Sequence, residues 1–378
     1  MTDTIPFIDL QAQRRRLGNK IDAAISRVLD HGQFIMGPEV AVLERNLADF
    51  VGCKHVISCA SGTDALLMAL MVKGIGPGDA VFVPTFTFTA TAEVISLLGA
   101  TPIFIDVNEA SYNIDTDSLV SAIHATNDDT LLTPRGVIAV DIFGLAADYD
   151  SINRIADLHG LWVISDAAQS LGGSNDGRNV GQLAEITCTS FFPAKPLGCY
   201  GDGGAIFTNS DHIAEILKSI RAHGKGTDKY DNVRVGINGR LDTLQAAVLI
   251  EKLTIFRDEL ISRERIAQRY NSLLSQYVGT PSPTNSATSA WAQYTIKVSD
   301  RDTLAAHLKS NGIPTAVYYP RPLHLQTAYS DCPISPSGCS TSETLSQTVL
   351  SLPMHPYLDE KTQNRIVQSV VNCLEHIR

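Results

Sequence analysis

Short apolar runs alternate with stretches of helical periodicity between residues 55 and 210. The apolar runs are HVISCA, AVFVPT, TPIFIDV, GVIAVDIFG, LWVISDAA and CTSFF. Amphipathic stretches such as SGTDALLMALMVKG and FTATAEVISLLG separate them. This alternation is typical of a mainly parallel sheet that helices cover on both faces. We therefore predict an α/β fold whose ligand site lies beyond the carboxyl ends of the strands.

A smaller second unit is predicted after a long helical pattern that follows Asn238. The stretch RLDTLQAAVLIEKLTIFRDELISRERIAQRYNSLL favours one continuous helix. Beyond it, AQYTIKV and PTAVYY have the pattern of strands, and DTLAAHLKSNG and the segment from Asp359 onward have that of helices. We expect a large domain over residues 1–245 and a small C-terminal α/β domain over residues 246–378. The N-terminal segment is a candidate to pack on the small domain.

Composition and charge narrow the possible functions. The 378 residues carry a formal net charge of −10 and no long basic run, which argues against nucleic-acid binding. No stretch approaches the roughly 20 apolar residues that a membrane helix needs, and the first residues contain no apolar signal core. The seven cysteines form no C-x-x-C pair, so neither a zinc site nor a disulfide framework is expected. We expect a cytoplasmic protein that binds no membrane and no metal.

One lysine has a setting that a solvated lysine does not need. Lys195 stands between two prolines in SFFPAKPLGCYGDGG, after two phenylalanines and before a glycine-rich turn. Such neighbours suit an amine that is held still, partly desolvated and close to a flat anionic group. Pyridoxal 5′-phosphate (PLP) needs such an amine for a Schiff base. It also needs a carboxylate at its pyridinium nitrogen, an anion site for its phosphate and a surface that stacks on its ring.

Candidates for the other three groups follow the predicted strands. Asp166 ends LWVISD and could pair with the ring nitrogen or act as a helix N-cap. Ser61-Gly62-Thr63 begins a helix, where free N–H groups bind anions or simply take part in capping. Ser190 could offer a hydroxyl to the same phosphate. Phe86 or Phe88 could cover the ring, and core packing is the alternative for each.

Several motifs together make the chain similar to a known family. They are FIDL (7–10), GPEV (37–40), SGTDAL (61–66), DAAQS (166–170), SFFPAKPLGCYGDGGAIFT (190–208), NGRLDTLQAA (238–247) and YPxPLH (319–324). With them the chain resembles the DegT/StrS-type sugar-nucleotide aminotransferases of PLP fold type I over essentially its whole length. The resemblance implies an aspartate aminotransferase-like fold. In it, a large domain with a mainly parallel seven-stranded sheet is joined to a smaller C-terminal α/β domain.

The resemblance also implies a role for each residue of the predicted site. Lys195 would form the Schiff base and later shuttle a proton, and Asp166 would pair with the ring nitrogen. The other implied contacts are Gln169 to the ring hydroxyl, Phe88 to the ring face, Gly62, Thr63 and Ser190 to the phosphate, and Asn238 to the phosphate bound by the neighbouring subunit. The site would therefore be complete only in a homodimer.

Amine transfer to a nucleotide-linked keto sugar is the implied reaction. In its sequence motifs and its length, the chain resembles the group that aminates C3 of UDP-2-acetamido-2-deoxy-3-oxo-D-glucuronate. That group uses L-glutamate as donor and supplies surface polysaccharide such as O-antigen. The alternatives are C3 or C4 amination of a UDP- or dTDP-linked 6-deoxy keto sugar, or a PLP-binding regulatory protein without turnover. A related branch, which removes a sugar hydroxyl, has histidine in place of this lysine. The presence of Lys195 therefore argues against that branch.

Three residues are candidates for the substrate pocket. Arg240 could meet the carboxylate of a uronate or the diphosphate, and Tyr319 and His324 match the YPxPLH segment. The family often has histidine at position 318, where this chain has Tyr318. We therefore assign no family role to Tyr318.

Overall fold

The computed structural model describes residues 5–228, 230–283 and 286–377. Its strands are β1 (His55–Cys59), β2 (Asp79–Pro84), β3 (Thr101–Ile105), β4 (Thr133–Val140), β5 (Trp162–Asp166), β6 (Ser174–Asn175), β7 (Arg178–Asn179), β8 (Ile186–Ser190), β9 (Gly204–Thr208), β10 (Ala287–Thr288), β11 (Tyr294–Lys297) and β12 (Val349–Leu352). Its α-helices are α1 (Leu10–Leu17), α2 (Lys20–His31), α3 (Pro38–Val51), α4 (Gly62–Val72), α5 (Ala90–Leu97), α6 (Thr116–Asn127), α7 (Tyr149–His159), α8 (Asp211–Ile220), α9 (Thr243–Leu274), α10 (Arg301–Ser310), α11 (Ser340–Thr348) and α12 (Glu360–Ile377). Over these ranges no helix is long and apolar enough to cross a bilayer.

A seven-stranded sheet in the order β1-β9-β8-β5-β4-β2-β3 organises the larger part of the chain. Its described strands are parallel apart from β9, which is antiparallel to both β1 and β8. One face buries Val81 and Ile164 against α4, α5 and α8, and the other buries Phe82 and Val163 against α6 and α7. Burial on both faces explains why the strands are continuous apolar runs. The predicted α/β fold with a mainly parallel seven-stranded sheet is confirmed.

The carboxyl ends of the parallel strands gather the predicted site residues at one edge of the sheet. Asp166 is the last residue of β5, and Ser190 is the last residue of β8. After β1 ends, Ser61 caps α4, which begins at Gly62. Lys195 lies in the turn between β8 and β9. Topology therefore brings together residues that are far apart in the sequence.

A second core lies along the later part of the 32-residue helix α9. The first part of α9 buries Leu249 and Phe256 with residues of β1 and β9. Farther along, Tyr270 and Leu274 pack with the β11–β12 sheet, α10 and α12, and Ile5 joins this second core. The division into domains at residue 245 stays a prediction, because α9 runs through both cores.

Candidate active site

A cavity of about 740 Å³ lies at the carboxyl-terminal edge of the large sheet. The predicted site residues that line it are Gly62, Thr63, Phe88, Asp166, Gln169, Ser190, Lys195 and Tyr319. Further lining includes Ser61, Thr87, Asp202, Gln293, Tyr318 and Gln326. The volume is within the range of roughly 300–1,000 Å³ that is usual for small-molecule sites.

Lys195 is held by its backbone in the turn between β8 and β9, where its N–H donates to the Phe192 carbonyl at 2.9 Å. Burial lowers the pKa of its amine, and the nearby Asp166 opposes that shift. The lower pKa increases the unprotonated fraction of the amine near neutral pH. Lys195 can therefore act as a nucleophile and as a base.

Asp166 contributes a buried carboxylate to the cavity wall, with only 6% of the residue exposed. Its Oδ2 accepts a hydrogen bond from the Thr91 hydroxyl at 2.8 Å, and its Oδ1 accepts one from the Ala168 N–H at 3.2 Å. Burial raises the pKa of Asp166, and these two donors and Lys195 oppose the rise. The next element of the described chain is β6 and not a helix, so the alternative role of Asp166 as a helix N-cap is excluded.

The N-terminus of α4 lies beside Ser190. Ser61 caps the helix by accepting from the Asp64 N–H at 2.9 Å. The N–H groups of Gly62 and Thr63 belong to the first turn, where the helix itself offers no acceptor. A Cβ atom on Gly62 would lie 2.7 Å from Ser190 Cβ, so glycine allows the two segments to approach closely. Free N–H groups and a hydroxyl thus converge in a way that suits a phosphate.

The two candidate phenylalanines have different environments. Phe88 lines the cavity and is 57% exposed, and its ring lies 6.3 Å from that of Tyr319. Phe86 is 1% exposed and packs edge-on against Phe143 and Tyr319 in the core. Of these two phenylalanines, Phe88 is therefore the one that offers a ring face to a ligand.

Gln169 is fixed at both ends of its side-chain amide. Oε1 accepts from the Phe143 N–H at 2.8 Å, and Nε2 donates to the Tyr319 hydroxyl at 3.4 Å. Burial raises the pKa of Tyr319, so its phenol is neutral at physiological pH. The amide is held at the cavity wall with little rotational freedom, as a contact to a ligand oxygen requires.

Three predicted site residues lie outside the cavity lining: Asn238, Arg240 and His324. Asn238 is exposed, and Arg240 is half-buried with no hydrogen-bond partner for its Nε among the described residues. The His324 ring contacts the Thr85 hydroxyl at 2.7 Å through Nδ1 and Glu343 at 3.2 Å through Nε2. One copy of the chain does not bring these three to its own cavity, and their roles stay predictions.

Sequence reasoning misses Thr91 and Gln293. Thr91 reaches Asp166 from α5, across 75 positions of the sequence. Gln293 lines the cavity just before β11, and its Oε1 is buried without a partner in the described part of the chain. The only available signs are a threonine inside a helix and a glutamine before a strand, which are common in any protein.

The groups gathered in the cavity fit pyridoxal 5′-phosphate. Lys195 offers an amine of lowered pKa, and Asp166 offers a buried carboxylate. The close approach of Gly62 and Ser190, which a side chain at position 62 would prevent, places the start of α4 beside a hydroxyl, as a phosphate requires, and Phe88 has an exposed ring. These are the four groups that the cofactor requires.

Known proteins share both the sequence and the fold. Residues 15–371 match the model of the DegT/DnrJ/EryC1/StrS aminotransferase family. The UDP-2-acetamido-2-deoxy-3-oxo-D-glucuronate aminotransferase of Pseudomonas aeruginosa is 48% identical over 97% of this chain and 100% of its own length. The crystal structure of a DegT DnrJ EryC1 StrS aminotransferase from Brucella abortus has a TM-score of 0.97 at 54% identity, covering 97% of this chain and 99% of that one. The structure of ntda from Bacillus subtilis, with bound cofactor PMP, has a TM-score of 0.88 at 27% identity and covers 99% of this chain and 86% of that one.

Proposed function

Since the chain belongs to the DegT/DnrJ/EryC1/StrS aminotransferase family, we propose that it transfers the amino group of L-glutamate to C3 of UDP-2-acetamido-2-deoxy-3-oxo-D-glucuronate. It is a PLP-dependent aminotransferase of fold type I, as the sequence predicts. The products are UDP-2-acetamido-3-amino-2,3-dideoxy-D-glucuronate and 2-oxoglutarate. The main support for the substrate assignment is the 48% identity to the P. aeruginosa enzyme over nearly the whole chain. We assign the reaction to the cytoplasm, as a step that supplies surface polysaccharide such as O-antigen.

The cofactor, when bound, supplies a pyridinium ring that withdraws electrons from the carbon next to the transferred nitrogen. Lys195 would hold it covalently through Nζ, and Asp166 would keep a proton on the ring nitrogen. The remaining contacts would come from Gly62, Thr63 and Ser190 to the phosphate, Phe88 to the ring face and Gln169 to the ring hydroxyl. Each of these residues lines the same cavity.

Lys195 also moves the protons on which transamination depends. Once glutamate has displaced it, the freed Nζ removes the proton from the α-carbon of glutamate. In the second half of the reaction, the same Nζ delivers a proton to C3 of the sugar. Burial lowers the pKa of Lys195, which favours the basic form for the first of these steps.

The charge of the cavity lining bears on the substrate. Lys195 is the one basic side chain in the lining formed by the described residues, and Asp166 and Asp202 add two carboxylates. The other polar side chains of this lining, which are serines, threonines, glutamines and tyrosines, carry no positive charge. A uronate carboxylate and a diphosphate therefore need cations from outside this lining. We assign the contact with the carboxylate to Arg240 of a second copy of the chain.

A homodimer would bring Asn238 and Arg240 to a neighbouring cavity. Among the exposed apolar residues of the described chain, two groups are close together in sequence: Phe34, Ile35 and Met36, and Tyr230, Val233 and Val235. The second segment leads directly to Asn238. Apolar patches of this kind are typical of surfaces that a partner covers, which supports shared active sites.

The assignment is tested with purified protein, PLP, glutamate and a panel of UDP- and dTDP-linked keto sugars, with mass spectrometry of the products. We expect efficient amination of the 3-oxo-glucuronate and weaker amination of the matched 3-oxo sugar that carries CH2OH at C5. Preferred turnover of a 4-keto-6-deoxy sugar would contradict the substrate assignment and leave the aminotransferase activity in place.

The role of Arg240 is tested with the same two 3-oxo sugars. Loss of a charge-assisted contact should lower kcat/KM of the Arg240→Gln protein for the uronate by roughly ten- to a hundredfold. The sugar without the carboxylate should be affected much less. Equal losses on both sugars would mean that Arg240 serves the diphosphate or the fold.

A further inference from the structure

A second buried carboxylate, that of Asp141, lies next to the turn that carries Asp166 and Gln169. Asp141 directly follows β4, whose last residue, Val140, is the register partner of Asp166 in β5. The residue is fully buried and does not line the cavity. Because burial of a charge is unfavourable without partners, such a group needs a dense set of hydrogen-bond donors.

Both oxygens of the Asp141 carboxylate have donors. Oδ1 accepts from the Ala147 N–H at 3.0 Å and from the Tyr149 hydroxyl at 2.8 Å. Oδ2 accepts from the Ser170 hydroxyl at 2.7 Å and, at 3.5 Å, from that of Ser165. Burial raises the pKa of Asp141 to about 6, so the group is still ionised above pH 7 and can accept from every donor.

The segment after β4 is bonded to the turn Asp166–Ser170 at three points. The Asp141 N–H donates to the Asp166 carbonyl at 3.1 Å. The Phe143 N–H donates to Gln169 Oε1 at 2.8 Å. The Ser170 hydroxyl donates to the Asp141 carboxylate at the other end of the turn. The turn is therefore fixed on both sides of Gln169, and the charged bond is the strongest type among the three.

We propose that Asp141 is a positioning residue of the cofactor site, whose carboxylate acts through Ser170 to hold Asp166 and Gln169 toward the cofactor ring. The inference rests on the proposed roles of Asp166 and Gln169. Asp141 itself contacts neither substrate nor cofactor. Loss of its anchor should change the environment of the bound cofactor and not only the stability of the fold.

Two hydroxyls on the same carboxylate provide a matched pair of variants. Ser170→Ala and Tyr149→Phe each remove one buried hydrogen bond of nearly equal length, 2.7 and 2.8 Å, from Asp141. Only Ser170 belongs to the turn that carries Gln169. Three quantities are measured for each protein: the dissociation constant of PLP, the midpoint of the pH titration of the cofactor absorption band, and the unfolding midpoint of the cofactor-free protein. Asp141→Asn and Gln169→Ala are measured alongside.

We expect Ser170→Ala and Asp141→Asn to shift the absorption titration in the same direction as Gln169→Ala and to weaken PLP binding by roughly tenfold. Tyr149→Phe should lower the unfolding midpoint and leave PLP binding within about twofold of the wild type. A Ser170→Ala protein that titrates like the wild type, or a Tyr149→Phe protein that shifts as much as Ser170→Ala, would overturn the proposal. If Asp141→Asn does not fold, the comparison of Ser170→Ala with Tyr149→Phe still tests the proposal.

The Gln169→Ala variant separates this inference from the proposed function. If Gln169→Ala leaves the titration and PLP binding unchanged, the proposed role of Gln169 is wrong and the positioning role of Asp141 is wrong with it. Amine transfer to the sugar by the wild-type protein is measured independently of that result.

Discussion

At the scale of single residues, the chemistry depends on the amine of Lys195. Lys195→Ala should abolish transamination, because we propose this Nζ as both the covalent anchor and the proton carrier. Borohydride reduction of the PLP-loaded wild type, followed by peptide mapping, should place the label on the peptide that contains Lys195. Lys252 is the internal control: it is also buried with its pKa lowered to about 8, but its Nζ donates to the Gly198 carbonyl at 2.6 Å. Label on Lys252 would contradict the assignment.

His355 makes the stability of the protein depend on pH. Burial and the neighbouring Arg263 lower the pKa of His355 from 6.5 to about 4. As the pH falls below 6.5, His355 becomes protonated in the unfolded chain. In the folded chain it becomes protonated only near pH 4. The free energy of unfolding should therefore decrease over this window by up to about 3 kcal/mol, and this part of the stability is fully present above pH 6.5.

The His355→Leu protein should lose less free energy of unfolding than the wild type between pH 7 and pH 4.5, as measured by urea unfolding. The exposed His212 gives a matched control, since its removal leaves the burial of His355 in place. An equal decline in the wild-type and His355→Leu proteins would show that other groups cause the acid sensitivity.

At the scale of elements, the start of α4 should determine cofactor affinity. Gly62→Ala would place a Cβ atom 2.7 Å from Ser190 Cβ and push α4 away from the end of β8. We expect PLP to bind at least roughly tenfold more weakly, because the phosphate loses charge-assisted hydrogen bonds from both segments. Gly76→Ala is the control, since a Cβ atom there meets nothing within 4 Å. Unchanged PLP affinity in Gly62→Ala, measured by spectroscopic titration, would count against the anion site.

Elements that carry their own local pattern were predictable, and contacts between distant elements were not. The apolar runs place Asp166 and Ser190 at strand ends, and the proline-flanked turn marks Lys195, because these are properties of short segments. The residues alone left Phe86 and Phe88 as alternatives, since both lie in one loop, and the family resemblance favoured Phe88. The structure adds the packing reason, because Phe86 is buried and Phe88 is exposed. The anchor provided by Asp141 depends on tertiary folding, because it joins β4 to the turn after β5.

At the scale of the whole molecule, charge favours a site shared between two copies. The chain carries a net charge of −10, and its proposed ligands are a phosphate, a nucleoside diphosphate and two carboxylate-bearing substrates. One basic side chain, Lys195, lines the cavity within the described ranges. Additional donors must come from elsewhere, because a single helix N-terminus offers few to a dianionic phosphate. Asn238 and Arg240, outside the lining of their own cavity, are the residues that a second copy would supply.

This model predicts complementation between two inactive proteins. Lys195→Ala and Asn238→Ala should each lose activity, since one lacks the amine and the other lacks the donor to the neighbour's phosphate. In a mixed dimer, one site combines the intact Lys195 of one subunit with the intact Asn238 of the other, while the second site lacks both. If subunits exchange at random, half of the dimers are mixed and each has one restored site, so about a quarter of the wild-type activity should return. The readout is amine transfer before and after mixing, with exchange followed through two different affinity tags. Verified exchange without recovery would show that each subunit forms its active site alone.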